Sequence, residues 1–96
     1  GSKDVVEQCA VTKGAIGYSG LAYATDHVRL VPVVDGEGQP VIPTVVTAAD
    51  GSYPIARPLF MYTAGQPEGD VKNYLDWILS TSGQDIIKEK GYAPAK

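Results

Sequence analysis

Leu59, Phe60, Met61 and Tyr62 form an apolar run of strand length, entered through the turn signals Asp50-Gly51 and Tyr53-Pro54 and the Pro58 flank. A run of this kind reads as a buried strand. It constrains the fold more than any other segment, because a buried strand needs neighbours, and a chain of 96 residues has few to offer. A domain of this size buries roughly 60–65% of the surface of its unfolded chain, so its stability is marginal unless something else covers it.

Composition places the chain among ordinary globular sequences, with 44% hydrophobic and 20% charged residues. The net charge is −3 and the eight basic residues are scattered, which leaves no electrostatic footprint for nucleic acid or an anionic membrane. An acidic protein can still bind an anion, since such sites use backbone N–H groups and helix N-termini. Cys9 is the only cysteine, so an intrachain disulfide is excluded, and its place among Val5, Val6 and Ala10 suits a buried structural thiol. No apolar run approaches the ~18 residues of a membrane span, and no segment reads as a signal peptide. Gly1-Ser2 reads as a cloning scar, which places the natural start further upstream.

Along the chain, residues 3–12 predict a helix, closed by Lys13-Gly14. Residues 15–18 predict a short buried strand whose glycines imply close approach by another backbone or a ligand. Residues 28–34 are β-branched and apolar but interrupted by Pro32, which suits an edge strand. Asp35 to Pro40 marks a hairpin-like turn, Val41-Ile42 a return strand, and Pro43-Thr44 the start of a short helix reaching Ala49. The stripe Val71, Tyr74, Leu75, Ile78, Leu79 gives the clearest helix, with Lys72, Asn73 and Asp76 toward water. Residues 80–90 predict a second helix, with Thr81 and Gln84 at capping-box spacing and Gly91 as its C-terminal stop.

Few side chains suggest chemistry. His27 is the only histidine and suits a solvated turn, not a metal site. No serine sits in a nucleophile elbow, and no acid pair is set up for acid–base work. Gly14 to Gly20 lacks the ending of a phosphate loop of the nucleotide-binding type. No metal, cofactor or catalytic residue is assigned. Arg57 reads as a structural arginine bonding carbonyls of the Tyr53-Pro54 turn. Tyr18 ends the predicted strand beside Ser19-Gly20; its hydroxyl, or the N–H that follows, could reach an oxyanion. The plainer reading is a packed strand-end tyrosine with its hydroxyl in water.

Three segments jointly resemble the C-terminal portion of a known family: Gly14-Ala15-Ile16-Gly17-Tyr18, Gly51-Ser52-Tyr53-Pro54-Ile55-Ala56-Arg57-Pro58-Leu59, and Leu79-Ser80-Thr81-Ser82-Gly83-Gln84. That family is the phosphate-binding proteins, the substrate-binding components of phosphate ABC transporters, with a type II periplasmic-binding-protein-like fold. The resemblance covers nearly the whole chain after residues 1–2, and the segments keep the family's order and spacing. It implies an α/β fold in which this chain is a partial lobe, a short sheet flanked by helices. By analogy, residues 3–27 end the second lobe, residues 28–34 form a hinge-crossing strand, and residues 35–96 return to the first lobe.

The same resemblance implies a non-catalytic function in phosphate uptake, with inorganic phosphate and an ABC transporter permease as partners of the full-length protein. That protein would be exported to the periplasm or lipid-anchored at the cell surface. The family's main anion ligands lie in motifs absent from these residues. Tyr18 and Ser19 are the candidate phosphate-binding residues, on the analogy of a strand-end tyrosine in related oxyanion binders. The alternative is a small stand-alone interaction domain of the same fold. Either way, residues 59–62 and the stripe of residues 71–79 predict exposed contact surfaces, and hence a homo-oligomer or a companion fragment.

Overall fold

Helix formation dominates wherever the sequence can satisfy its own backbone. The computed structural model of the chain describes residues 1–95. It contains four α-helices, α1 (Ser2–Val11), α2 (Val45–Ala49), α3 (Gly69–Ile78) and α4 (Thr81–Glu89), a 3-10 turn at Leu21–Tyr23, and a two-stranded sheet of β1 (Val33–Val34) and β2 (Pro40–Val41).

The local signals that held are those closed by nearby atoms. In the β1–β2 hairpin Asp35 organises the turn: its carboxylate accepts from the N–H groups of Glu37 at 2.8 Å and Gln39 at 2.9 Å. Its own N–H donates to the Gln39 carbonyl at 2.8 Å, and Gly38 supplies a φ of +82°. The strands pair antiparallel, with Val33 opposite Val41 and Val34 opposite Pro40. α2 forms despite its β-branched residues because Thr44 and Thr47 cap it reciprocally, the Thr44 hydroxyl accepting from Thr47 N–H at 3.0 Å and the Thr47 hydroxyl from Thr44 N–H at 2.8 Å. Beyond α2, Asp50 accepts from the Ser52 N–H at 2.8 Å. The Ser52 side chain first, and its N–H second, hold the Asp50 carboxyl below the usual carboxylate range.

α3 and α4 meet through a tight turn. The residue that caps α4 is Ser80, whose hydroxyl accepts from Gly83 N–H at 3.3 Å. This corrects the Thr81–Gln84 capping box. Gln84 is drawn elsewhere: its amide is buried, Nε2 donating to the Ile78 carbonyl at 2.8 Å and Oε1 accepting from Ala95 N–H at 2.6 Å. One side chain thus ties the end of α3 to the C-terminal tail. Gly83 lets the helices cross closely, since a Cβ there would stand 2.5 Å from the Trp77 carbonyl oxygen and closer still to that of Ile78. α4 ends as its sequence indicates. Gly91 N–H donates to the Lys88 carbonyl at 2.9 Å and Tyr92 N–H to that of Ile87 at 3.1 Å, with Gly91 at φ +85°.

The strand readings fail together. Residues 15–18 and 59–62 belong to no sheet, and of residues 28–34 only Val33–Val34 pair. The cause is common to all three: a strand is stabilised by a neighbour's backbone, and the residues left unpaired have none within the described residues. Residues 57–63 make no backbone–backbone hydrogen bond, and Leu59, Phe60, Met61 and Tyr62 are 83%, 69%, 60% and 88% exposed. The apolar stripe of α3 is only partly covered: Leu75 and Ile78 are half-buried, while Val71, Tyr74 and Leu79 are exposed.

Among the described residues, Val6 is the only buried apolar side chain. The chain exposes 7749 Å², where a globular monomer of 10.1 kDa exposes about 5,300 Å². Its radius of gyration is 16.4 Å against about 12.5 Å for a compact domain of this length. The helices and the hairpin are formed, but the layer that would close a core over them is not supplied by these residues.

Candidate functional site

Tyr18 and Ser19 follow α1 across the turn at Gly14, in a stretch exposed from Val11 to Gly20. The approach to them is fixed by Gly17, where a Cβ would fall 2.7 Å from Val5 Cγ1 and 3.0 Å from Cys9 Sγ. The glycine therefore lets the chain run against the apolar face of α1, a close approach to helix side chains and not to the backbone or ligand that the sequence implied. Cys9 is half-buried there as a free thiol.

The structure places the two candidate residues side by side and gives them different environments. Tyr18 is 90% exposed and its hydroxyl bonds to no described residue. The Ser19 hydroxyl donates to the Ser2 carbonyl at 3.1 Å, tying this segment to the start of α1. Its oxygen keeps acceptor capacity, but its proton is committed. The N–H groups of Tyr18, Ser19 and Gly20 have no acceptor among the described residues. The three consecutive free amides can only donate, and the phenol beside them can donate too, which suits them to bond an oxyanion.

Neighbouring features are unsuited to that role. A groove of about 420 Å³ runs between α1 and residues 15–17, but it is lined chiefly by apolar atoms, carries the Asp4 carboxylate, and includes neither Tyr18 nor Ser19. Arg57 bonds back to its own turn, its Nη1 donating to the carbonyls of Ala56 at 2.7 Å and Pro54 at 3.3 Å. His27 lies exposed in the turn after Thr25. Among the described residues no three His, Cys, Asp or Glu side chains gather as metal ligands, and no helix is long and apolar enough to cross a membrane. Of the free amides of residues 18–20, the sequence named the one that follows Tyr18 and missed those of Tyr18 and Gly20. Their only signal there was Gly20 following a strand with no partner.

Comparison with known proteins agrees with this α/β arrangement. The PBP superfamily domain matches residues 1–82, and the chain belongs to that superfamily. Its relatives include the phosphate-binding protein PstS of Pseudomonas aeruginosa, 31% identical over 98% of this chain and 31% of that protein. The phosphate-binding protein PstS of Bacillus subtilis is 36% identical over 97% of this chain and 30% of that protein. Protein SphX of Synechococcus elongatus is 28% identical over 94% of this chain and 28% of that protein. The chain thus spans about a third of the length of the curated relatives it matches. No solved structure matches it.

Proposed function

We propose that this chain is the C-terminal part of a phosphate-binding protein that serves an ABC transporter, with no catalytic role. The observation that carries the reading is the alignment of nearly the whole chain with proteins named for phosphate binding, from organisms as distant as Pseudomonas and Bacillus. On this reading residues 3–27 finish one lobe, residues 28–34 cross between lobes, and residues 35–96 return to the other. Inorganic phosphate and the transporter permease are the partners, and the protein works outside the cytoplasmic membrane, in the periplasm or anchored at the cell surface. The open faces are covered by a companion segment or by a second copy. The near absence of a buried core weighs against the stand-alone domain.

Tyr18 and Ser19 contribute to the anion site in a specific way. The phenol hydroxyl and the N–H groups of Tyr18, Ser19 and Gly20 donate to phosphate oxygens, while the Ser19 side chain holds the segment against Ser2. Backbone donors suit a chain of net charge −3, because their partial charges act locally.

Titration of the chain with millimolar phosphate, followed by amide NMR, tests this. The amide resonances of residues 18–20 are expected to move in a saturable way, whereas sulfate at equal ionic strength moves them less. Tyr18→Phe should weaken the effect several-fold. Shifts confined to other residues, or identical linear drift with both anions, would remove Tyr18 and Ser19 from the site.

A further inference from the structure

Gly91, just past α4, is pinned from both sides. Before it the helix stop closes, Gly91 N–H donating to the Lys88 carbonyl at 2.9 Å and Tyr92 N–H to that of Ile87 at 3.1 Å. After it Ala95 N–H donates to the buried Gln84 at 2.6 Å, and Gln84 in turn bonds the Ile78 carbonyl at 2.8 Å. One distant segment lies directly against this fixed point. A Cβ on Gly91 would stand 2.6 Å from Ala22 Cβ and 3.1 Å from Ala22 Cα.

Ala22 is the middle residue of the 3-10 turn Leu21–Tyr23, which begins where the three free amides end. The turn is tied back to them: Tyr23 N–H donates to the Gly20 carbonyl at 3.0 Å. The edge of the Tyr23 ring lies 3.5 Å from where a Gly20 Cβ would stand. Upstream, the Ser19 hydroxyl bonds the Ser2 carbonyl at 3.1 Å. Residues 18–20 are in no helix or strand, yet they are moored at both ends, to α1 through Ser19 and to the end of α4 through Ala22. Successive amides bind an oxyanion only while they stay aligned, and holding them in advance lowers the ordering cost of binding.

We infer that Gly91 is a positioning residue for the candidate anion segment: by seating Ala22 it sets the geometry of the amides of residues 18–20 without touching the anion. The role rests on the phosphate reading of those amides. It also brings in the part of the chain that, on the same reading, belongs to the opposite lobe. A side chain at position 91 displaces Ala22, and apparent affinity falls with the fraction of time the amides spend out of line.

Amide NMR of the intact chain tests this, first in phosphate-free buffer and then on titration with inorganic phosphate. Asparagine tolerates the left-handed backbone of a helix stop, so Gly91→Asn keeps the end of α4 while its Cβ meets Ala22. Gly38→Asn is the control, with a comparable φ of +82° and open space where a Cβ would stand. Without phosphate, Gly91→Asn should move the amide resonances of residues 18–20, and Gly38→Asn should leave them at parent positions. With phosphate, Gly91→Asn should raise the half-saturating concentration several-fold, and adding Ala22→Gly should recover part of the loss. Helical circular dichroism checks folding. Ala22→Val crowds the same contact from the other side without altering α4, and it gives the reading if Gly91→Asn loses its helices. Unmoved resonances at residues 18–20 in both crowded variants, or equal movement in Gly38→Asn, would overturn the role, as would a displaced segment that binds phosphate as tightly as the parent. A parent chain indifferent to phosphate would remove the anion site and the positioning role with it. The phosphate-free spectra tell that failure from a failure of the Ala22 contact.

Discussion

Gly83→Ala is expected to lower the thermal midpoint of the helical signal by about 10 °C, although alanine is ordinarily the better helix former. Two effects compete. Exchanging glycine for alanine inside a helix favours the helix by up to about 1 kcal/mol, and less in the first turn, where Gly83 sits. Against it stands a methyl group with nowhere to go. It would contact the carbonyl oxygens of Trp77 and Ile78, which are backbone atoms and cannot rotate aside. Overpacking of this kind costs about 3 kcal/mol, so the loss prevails by about 2 kcal/mol, and a domain of this size loses 4–8 °C per kcal/mol. The same movement would stretch the Gln84 bond to Ile78 and loosen the tail held at Ala95. A midpoint unchanged or raised would mean that α3 and α4 cross more loosely than described.

Gly91→Ala carries a comparable penalty from two separable sources. The residue sits at φ +85°, where a side chain costs about 1 kcal/mol. Its Cβ would also stand 2.6 Å from that of Ala22, in the segment after the 3-10 turn's start. Gly14 provides the comparison, because it has a φ of +81° with nothing within reach of a Cβ. Gly14→Ala should lose about 1 kcal/mol and Gly91→Ala about 3 kcal/mol in denaturant titrations. The double variant Ala22→Gly with Gly91→Ala should recover part of the difference, as residues in contact do. Equal losses at the two glycines would place the C-terminal tail away from Leu21–Tyr23.

What the sequence made legible follows a physical boundary. α3, α4, the Asp35 turn and the Gly91 stop are closed by atoms within a few residues, so their periodicity and turn chemistry were sufficient. The reading of Arg57 as a structural residue succeeded for the same reason. Residues 15–18 and 59–62 carry equally clear strand patterns, yet the structure leaves them unpaired, because a strand is completed by backbone that another segment must supply. The cap of α4 moved by one residue for a tertiary reason. Gln84 is needed at Ile78 and Ala95, which leaves Ser80 to hold the helix start. Local spacing holds no record of that demand. At the candidate site, the plainer reading of Tyr18 as a packed strand-end tyrosine holds only for its hydroxyl, which is open to water; the ring is exposed as well, and the residue ends no strand. The commitment of Ser19 to Ser2 depends on how α1 folds back and was not visible beforehand.

These strands without partners lead to one central claim: the described residues form a partial lobe whose β segments await cover. Amide hydrogen exchange on the chain, diluted until light scattering gives the monomer mass, tests it most directly. The expected result is protection in α3 and α4 together with near-unprotected exchange across residues 57–63. Protection of residues 57–63 in the dilute monomer would contradict the claim, since the chain would then be supplying those strand partners and closing a core by itself.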